Sequence, residues 1–149
     1  MSRRQARERA LQVLYQTDVG GADLAGAFRY MDEEFGAIRD EDKFVQRLVC
    51  GTIENMAPID KVIAVVSKEW HINRMARVDR NIMRLALYEI LYCMDIPNNV
   101  SVNEAVELGK IYGGEDSGRF INGILGKVIE NPGAYLQEQD NTFRVVDTT

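Results

Sequence analysis

The segment from Arg77 to Met94 constrains the fold of this 149-residue chain more than any other. From Leu85 onward, almost every residue is apolar on every side of a helix, and Glu89 is the single charge among them. A surface helix has one apolar stripe, so this pattern predicts a central helix that is buried nearly all round. Its first two turns carry mostly charged residues instead, which predicts that this end of the helix reaches the surface.

Apolar residues recur at helical spacing in the segments on both sides, which predicts an all-α protein. A chain of this length fits one domain, which buries about 70% of the surface of its unfolded form. We predict a single domain at residues 1–134, built from two packed helical subdomains at about 1–72 and 73–134, with a polar tail at 135–149. The motif Ser101-Val102-Asn103-Glu104 reads as a capping box, so we expect it to begin the helix after the central one.

Several classes of protein are excluded by what the sequence lacks. No run approaches the roughly 18 to 20 apolar residues that a membrane span requires, so we expect a soluble, cytoplasmic protein with no membrane partner. No phosphate loop, nucleophile elbow or ligand set with metal-binding spacing is present. We therefore expect no enzymatic activity, with no catalytic residue, metal or cofactor.

Basic residues are concentrated in two places, although the net charge of −5 argues against a protein that coats nucleic acid indiscriminately. Residues 1–20 carry four arginines and two acidic residues, and residues 74–84 carry four arginines and one acidic residue. A helical wheel places Arg3 and Arg7 on the side of the apolar residues of their helix, with Arg4 close by. Two basic islands indicate a localised anion site, and a solvated helix terminus is the alternative for the first island.

Three stretches of sequence carry a resemblance to a known family. They are R-R-Q-A-R-E-R-A-L-Q-V-L-Y-Q, then V-D-R-N-I-M-R-L-A-L-Y-E-I-L, and then I-P-N-N-V-S-V-N-E-A-V-E-L-G-K-I-Y-G-G-E-D-S-G-R-F-I-N-G-I-L-G-K-V. In this order and spacing they resemble the NusB family of bacterial transcription antitermination factors, over roughly residues 2–130. The resemblance implies an all-helical NusB-like bundle of two packed subdomains, in agreement with the periodicity.

The resemblance also implies a function. Members of this family are non-enzymatic RNA-binding proteins that pair with NusE, which is also a small-subunit ribosomal protein. The pair binds the boxA sequence as single-stranded RNA in nascent ribosomal RNA leaders, and it joins other Nus factors on RNA polymerase in the antitermination complex. Homodimers occur in the family as well.

Carried over by position, the resemblance implies RNA contacts at the beginnings of three helices. Arginine suits this role because a guanidinium group can grip a phosphate with two hydrogen bonds or stack on a base. An aromatic ring can stack on an unpaired base, and a carboxylate can accept a hydrogen bond from a base edge. We expect the three helix beginnings to converge into one cradle for an unpaired strand. The implied RNA-binding residues are Arg3, Arg4, Arg7, Asp79, Arg84, Asp116, Ser117, Phe120 and Asn122.

Each group has a structural alternative. Asp79 and Asp116 fall in or before a first helical turn, where a carboxylate is favoured by about 0.3 to 1 kcal/mol without any ligand. Phe120 fits the spacing of a core residue, and the aliphatic stem of Arg84 can lie along the central helix.

Two other functions remain as alternatives. The first is a helical interaction module that binds only protein, with the arginines facing an acidic partner. The second is the RNA-binding domain of a ribosomal-RNA cytosine methyltransferase, which shares this fold. That enzyme needs a cofactor-binding α/β domain after the helical one, and we expect none in this chain.

Overall fold

A computed structural model describes residues 1–21, 23–36, 39–67 and 74–135. The predicted subdomain boundary near residue 72 and nearly all of the predicted polar tail lie outside these ranges, so both stay predictions. The described residues contain helices and no strand. The α-helices are α1 (Arg3–Gly20), α2 (Leu24–Phe35), α3 (Lys43–Glu54), α4 (Met56–Val66), α5 (Arg77–Tyr92), α6 (Asn98–Tyr112) and α7 (Ser117–Glu130), and a short 3-10 turn spans Asp40–Asp42.

Helix α5 is the central helix of the bundle, as its sequence predicts. It packs against α1, α3, α4, α6 and α7. The residues from Leu85 to Leu87 and from Ile90 to Leu91 are at most 3% exposed, so their side chains fill the core on all sides. The helix ends at Tyr92 rather than at the predicted Met94, which is 85% exposed.

Helices α1 and α5 run antiparallel, and two ion pairs fix their register. Arg7 near the beginning of α1 pairs with Glu89 near the end of α5, whereas Asp18 near the end of α1 pairs with Arg80 near the beginning of α5. We call the end with Arg3, Arg4 and Arg7 the arginine end, and the end with Asp18 and Arg80 the Asp18 end.

Helices α6 and α7 form a close pair behind α5. An ideal Cβ atom built on Gly109 of α6 would lie 2.7 Å from Ile121 Cδ1 and 3.4 Å from backbone atoms of α7, so a larger residue here would displace the Ile121 side chain. The apolar residues of α7, among them Ile121 and Leu125, continue into the common core.

The predicted capping box at the beginning of α6 is wrong. This helix begins at Asn98, directly after Pro97, so Ser101 lies inside it and cannot act as its N-cap. Proline fixes the backbone dihedral that a helix entry needs, and here it sets the boundary one turn earlier than the serine would. Ser101 and Glu104 instead bond to side chains of other helices.

None of the helices in the described part of the chain is long and apolar enough to cross a membrane. The same residues contain no cluster of three or more histidine, cysteine, aspartate or glutamate side chains that could hold a metal ion.

Candidate nucleic-acid interface

The first turn of α1 is held in place by a capping box. The side chain of Ser2 accepts a hydrogen bond from the backbone N–H of Gln5 at 3.1 Å, and the side chain of Gln5 accepts one from the backbone N–H of Ser2 at 3.0 Å. These two bonds satisfy N–H groups that have no partner within the helix. They fix the direction in which the arginines of the next two turns leave the helix.

Arg7 lies in the interior of the protein. Its side chain is 4% exposed, and its Nε and Nη2 atoms donate to the two carboxylate oxygens of Glu89 at 2.8 and 2.7 Å. The Ser101 hydroxyl donates to the same carboxylate at 2.9 Å, so α1, α5 and α6 meet at one buried group. Burial lowers the pKa of Arg7, but the hydrogen bonds and charge of Glu89 raise it more, so the net shift is upward. Arg7 therefore holds the bundle together, and RNA could reach it only after this pair had opened.

Arg4 is half exposed, with 52% of its side chain accessible. Its Nε and Nη2 atoms donate to the carboxylate of Glu104 on α6 at 2.9 and 3.2 Å. The pair ties the beginning of α1 to α6 on the protein surface.

Arg3 is exposed, and its guanidinium carbon lies 4.2 Å from the centre of the Phe44 ring on α3. A guanidinium group at this distance over an aromatic face makes a cation–π contact. The contact covers one face of the group and leaves its N–H edges uncovered.

The residues predicted on α5 lie at the other end of the molecule, and both are buried. Arg84 is 7% exposed and donates to the two carboxylate oxygens of Asp60 at 2.7 and 2.8 Å. Its Nη1 atom also lies 3.4 Å from a carboxylate oxygen of Asp18. Asp79 is 9% exposed, and its Oδ1 atom has no hydrogen-bond partner among the described residues. Neither side chain presents its charge to solvent.

The residues predicted at the beginning of α7 differ in exposure. Asp116 and Asn122 are exposed, and Phe120 is half-buried against the core. Ser117 is buried, and its hydroxyl accepts a hydrogen bond from the backbone N–H of Gly114 at 2.8 Å, so it closes the turn between α6 and α7.

The three helix beginnings do not converge, and the expectation of a single cradle is wrong. Because α1 and α5 are antiparallel, their beginnings lie at opposite ends of the pair. The beginning of α7 follows the end of α6, where Tyr112 lines a groove together with Val78 of α5. The beginning of α5 thus lies at the Asp18 end, whereas Arg3 and Arg4 lie at the arginine end; Tyr112, shortly before α7, contacts Glu8, the residue after Arg7.

Between the two ends, a groove of about 310 Å³ follows one side of α1. Leu11, Gln12 and Tyr15 form its floor and wall on α1, and Val78 and Tyr112 close it from α5 and α6. The hydroxyl of Tyr112 on α6 also donates a hydrogen bond to the carboxylate of Glu8 on α1.

The comparison with known families agrees with the motifs. The model of the NusB family matches residues 4–130. This chain belongs to the NusB family. The transcription antitermination protein NusB of Pelotomaculum thermopropionicum is 69% identical over 135 residues, which make up 91% of this chain and 94% of the relative. This relative is a transcription antitermination protein, in agreement with the non-enzymatic function that the sequence predicts.

Solved structures of the family have the same fold. A structure of T. maritima NusB superposes with a TM-score of 0.78 at 35% identity and covers 88% of this chain and 92% of its own. A crystal structure of the antitermination factors NusB and NusE in complex with double-stranded RNA superposes with a TM-score of 0.75 at 28% identity, covering 86% and 96%. The predicted all-α, NusB-like fold is confirmed.

Sequence reasoning missed the residues that hold the arginines. Phe44, Glu89 and Glu104 decide which parts of the guanidinium groups remain accessible, and none of them was singled out for this role. A signal existed for Glu89, because a lone carboxylate in an apolar helix needs a positive partner. The other two residues lie on helices whose packing against α1 no local pattern reveals.

Proposed function

We propose that this protein is a transcription antitermination factor. It acts in the cytoplasm, pairs with NusE, and binds the boxA element of nascent ribosomal RNA leaders as part of the antitermination complex on RNA polymerase. Membership of a family with a 69% identical antitermination protein carries the proposal, and the solved complex of related NusB and NusE proteins with RNA supports its choice of partners.

The RNA contacts belong to those predicted residues that solvent reaches. They are Arg3 and Arg4 at the arginine end, with Asp116, Phe120 and Asn122 at the beginning of α7. A single strand that touches both groups would run along the second half of α6, because Arg4 is bonded to Glu104 at the middle of this helix and α7 starts just past its end.

The remaining four predicted residues have a supporting role in this proposal. Arg7 and Arg84 are paired with Glu89 and Asp60, and Ser117 closes a turn. Asp79 lies in the first turn of α5, where the positive end of the helix dipole stabilises its charge. They shape the surface from beneath and make no direct contact with the strand.

The test is a binding titration with a fluorescent single strand that contains boxA, in the presence and absence of NusE. We expect tighter binding to boxA than to a scrambled strand, and a decrease in affinity as salt increases, because phosphate contacts release counterions. The double variant Arg3→Ala, Arg4→Ala should lose much of its affinity for the boxA strand, whereas Arg29→Ala, at an exposed position of α2, should not.

Equal affinity for the boxA and scrambled strands, with NusE present, would remove the RNA function. In that case a module that binds only protein becomes the better account, with the exposed arginines facing an acidic partner.

A further inference from the structure

Arg3 and Arg4 are the two exposed arginines of α1, and in each a neighbouring side chain covers a different part of the guanidinium group. Arg3 has one guanidinium face against the Phe44 ring, with 4.2 Å between the guanidinium carbon and the ring centre. Arg4 has its Nε–Nη2 edge against Glu104, with two hydrogen bonds of 2.9 and 3.2 Å. These two neighbours in sequence can therefore offer different chemical groups to a ligand.

An arginine uses its N–H edge to grip a phosphate and its flat face to stack on a base. In Arg3 the N–H edge is the accessible part, because the ring covers a face and leaves the donors uncovered. In Arg4 the Nε and Nη2 donors of one edge are already bonded to a carboxylate, which leaves only the outer Nη1–Nη2 end for a phosphate. The exposed half of this side chain leaves a face for a flat partner.

The charges around Arg4 point in the same direction. Hydrogen bonding to Glu104 raises the pKa of Arg4, and the charges of Glu104, Glu107 and Glu8 raise it further, so carboxylates of the same chain already offset the charge of this guanidinium group. A phosphate bound to Arg4 would bring its negative charge close to that of Glu104. A nucleobase carries no net charge and is not repelled.

From this geometry we propose that Arg4 is a base-stacking residue of the RNA surface and that Glu104 is the residue that positions it, while Arg3 binds a phosphate. This inference rests on the proposed RNA function and assigns a separate role to each residue of that surface. Glu104 makes no contact with RNA; it fixes the plane of the Arg4 guanidinium group. At the arginine end, Arg4 then stacks on one base and Arg3 binds the phosphate beside it.

The test combines conservative variants with salt titrations of boxA binding by the full chain and NusE. Arg3→Ala should lower the salt slope by about 0.7, the contribution of one phosphate contact on a single strand, and Arg3→Lys should restore most of it. Arg4→Ala should lower the affinity by about fivefold with little change in slope. Arg4→Lys should not rescue it, because an ammonium group has no flat face.

Glu104→Gln tests the positioning role directly. We expect it to weaken binding by about twofold to threefold, since a neutral amide holds the guanidinium plane less firmly. Glu107→Gln is the matched control, because this carboxylate bonds Lys110 and makes no hydrogen bond with Arg4. Thermal melts of both variants should match the wild type, which separates positioning from folding.

A second readout locates the base. Replacing each boxA nucleotide in turn by an abasic one should reveal a position where the loss of affinity and the effect of Arg4→Ala are not additive. A merely structural role of Arg4 would give additive effects at every position.

Three results would overturn the inference. They are a fall in salt slope for Arg4→Ala that Arg4→Lys rescues, tighter binding by Glu104→Gln, or additivity at every abasic position. If Arg3→Ala and Arg4→Ala both left RNA binding unchanged, the failure would lie in the proposed RNA surface itself.

Discussion

Both ends of the α1–α5 pair contain ion pairs between arginine and a carboxylate, but a different helix supplies the arginine at each end. At the arginine end, α1 supplies the cations and other helices supply the carboxylates, whereas at the Asp18 end α1 supplies the carboxylate and α5 supplies the cations. Their exposure differs. The side chain of Arg4 is 52% exposed, whereas those of Arg80 and Arg84 are 11% and 8% exposed.

This difference shows why local charge is a poor guide to a binding surface. By sequence, the segment around residues 74–84 is more basic than the first twenty residues. In the structure, Asp18 and Asp60 pair with Arg80 and Arg84, the two largely buried arginines of this segment, whereas Arg74 and Arg77 stay exposed. Each segment therefore keeps two exposed arginines whatever its net charge, and burial beside a carboxylate decides which arginines serve the fold.

The largest expected effect comes from breaking the buried pair at the arginine end. Glu89→Gln leaves the charge of Arg7 uncompensated in the core, which should lower the free energy of unfolding by about 3–5 kcal/mol. Urea unfolding followed by circular dichroism measures this loss. Glu104→Gln, at the exposed pair of the same end, should cost less than about 1 kcal/mol.

A double variant tests whether the uncompensated charge of Arg7 causes this loss of stability. The double replacement Arg7→Met, Glu89→Leu removes both charges and keeps the volume, so it should recover most of the lost stability. If Glu89→Gln cost no more than the exposed control, the buried pair would not be what holds α1 to α5.

Much of the fold could be predicted because helical periodicity is a local property. The central helix was placed to within two residues, since its apolar residues surround the axis whatever the tertiary context. The beginning of α6 was misplaced because the motif at Ser101 satisfies the capping pattern, yet Pro97 starts the helix one turn earlier. Local rules compete at such a boundary, and the sequence does not say which one wins.

The site could be predicted only in part because its decisive contacts join distant residues. Arg7 and Glu89 are 82 positions apart, and Arg4 and Glu104 are 100 apart. The sequence indicates that both members of the Arg7–Glu89 pair are buried, since Glu89 stands alone in an apolar stretch and the helical wheel puts Arg7 on the apolar side of α1. The pairing of Arg84 with Asp60 depends on the packing of α4 against α5, which no sequence spacing encodes.

A smaller effect is expected at the Asp18 end. Asp18 accepts hydrogen bonds from Arg80 at 2.7 Å and Asn81 at 2.9 Å, while Arg84 keeps a second partner. Asp18→Asn should therefore lower the free energy of unfolding by about 1.5–3 kcal/mol. Asp32→Asn, at an exposed position of α2, is the matched control and should have little effect.

The pH dependence of this loss follows from the pKa of Asp18. Burial raises it, but the hydrogen bonds from Arg80 and Asn81 and the arginine charges lower it more, so the net shift is downward. A carboxylate with a depressed pKa in the folded state stabilises the protein above its unfolded pKa of about 3.9 and loses this effect as the pH falls further. The difference between wild type and Asp18→Asn should be full at neutral pH and should shrink below about pH 4. A constant difference down to pH 2 would mean that Asp18 acts through shape rather than charge.

Arg47 and Asp95 form an exposed ion pair near the arginine end. Arg47 donates two hydrogen bonds to Asp95, at 3.0 and 2.5 Å, and these lower the pKa of Asp95 to about 2. Carboxyl-detected NMR should find this value in the wild type and a value near 3.9 in Arg47→Gln. Lys43→Gln, which removes a pair with Asp40, should leave the pKa of Asp95 unchanged. Linkage ties stability to this pKa, so the melting temperature of Arg47→Gln at neutral pH should fall as the pKa of Asp95 rises, whereas that of Lys43→Gln should hardly move. A wild-type value near 4 would mean that the pair does not persist in solution. A smaller loss of stability than the one that Glu89→Gln causes would show that burial, in addition to the presence of an ion pair, separates the arginines that hold this bundle from those left to bind a ligand.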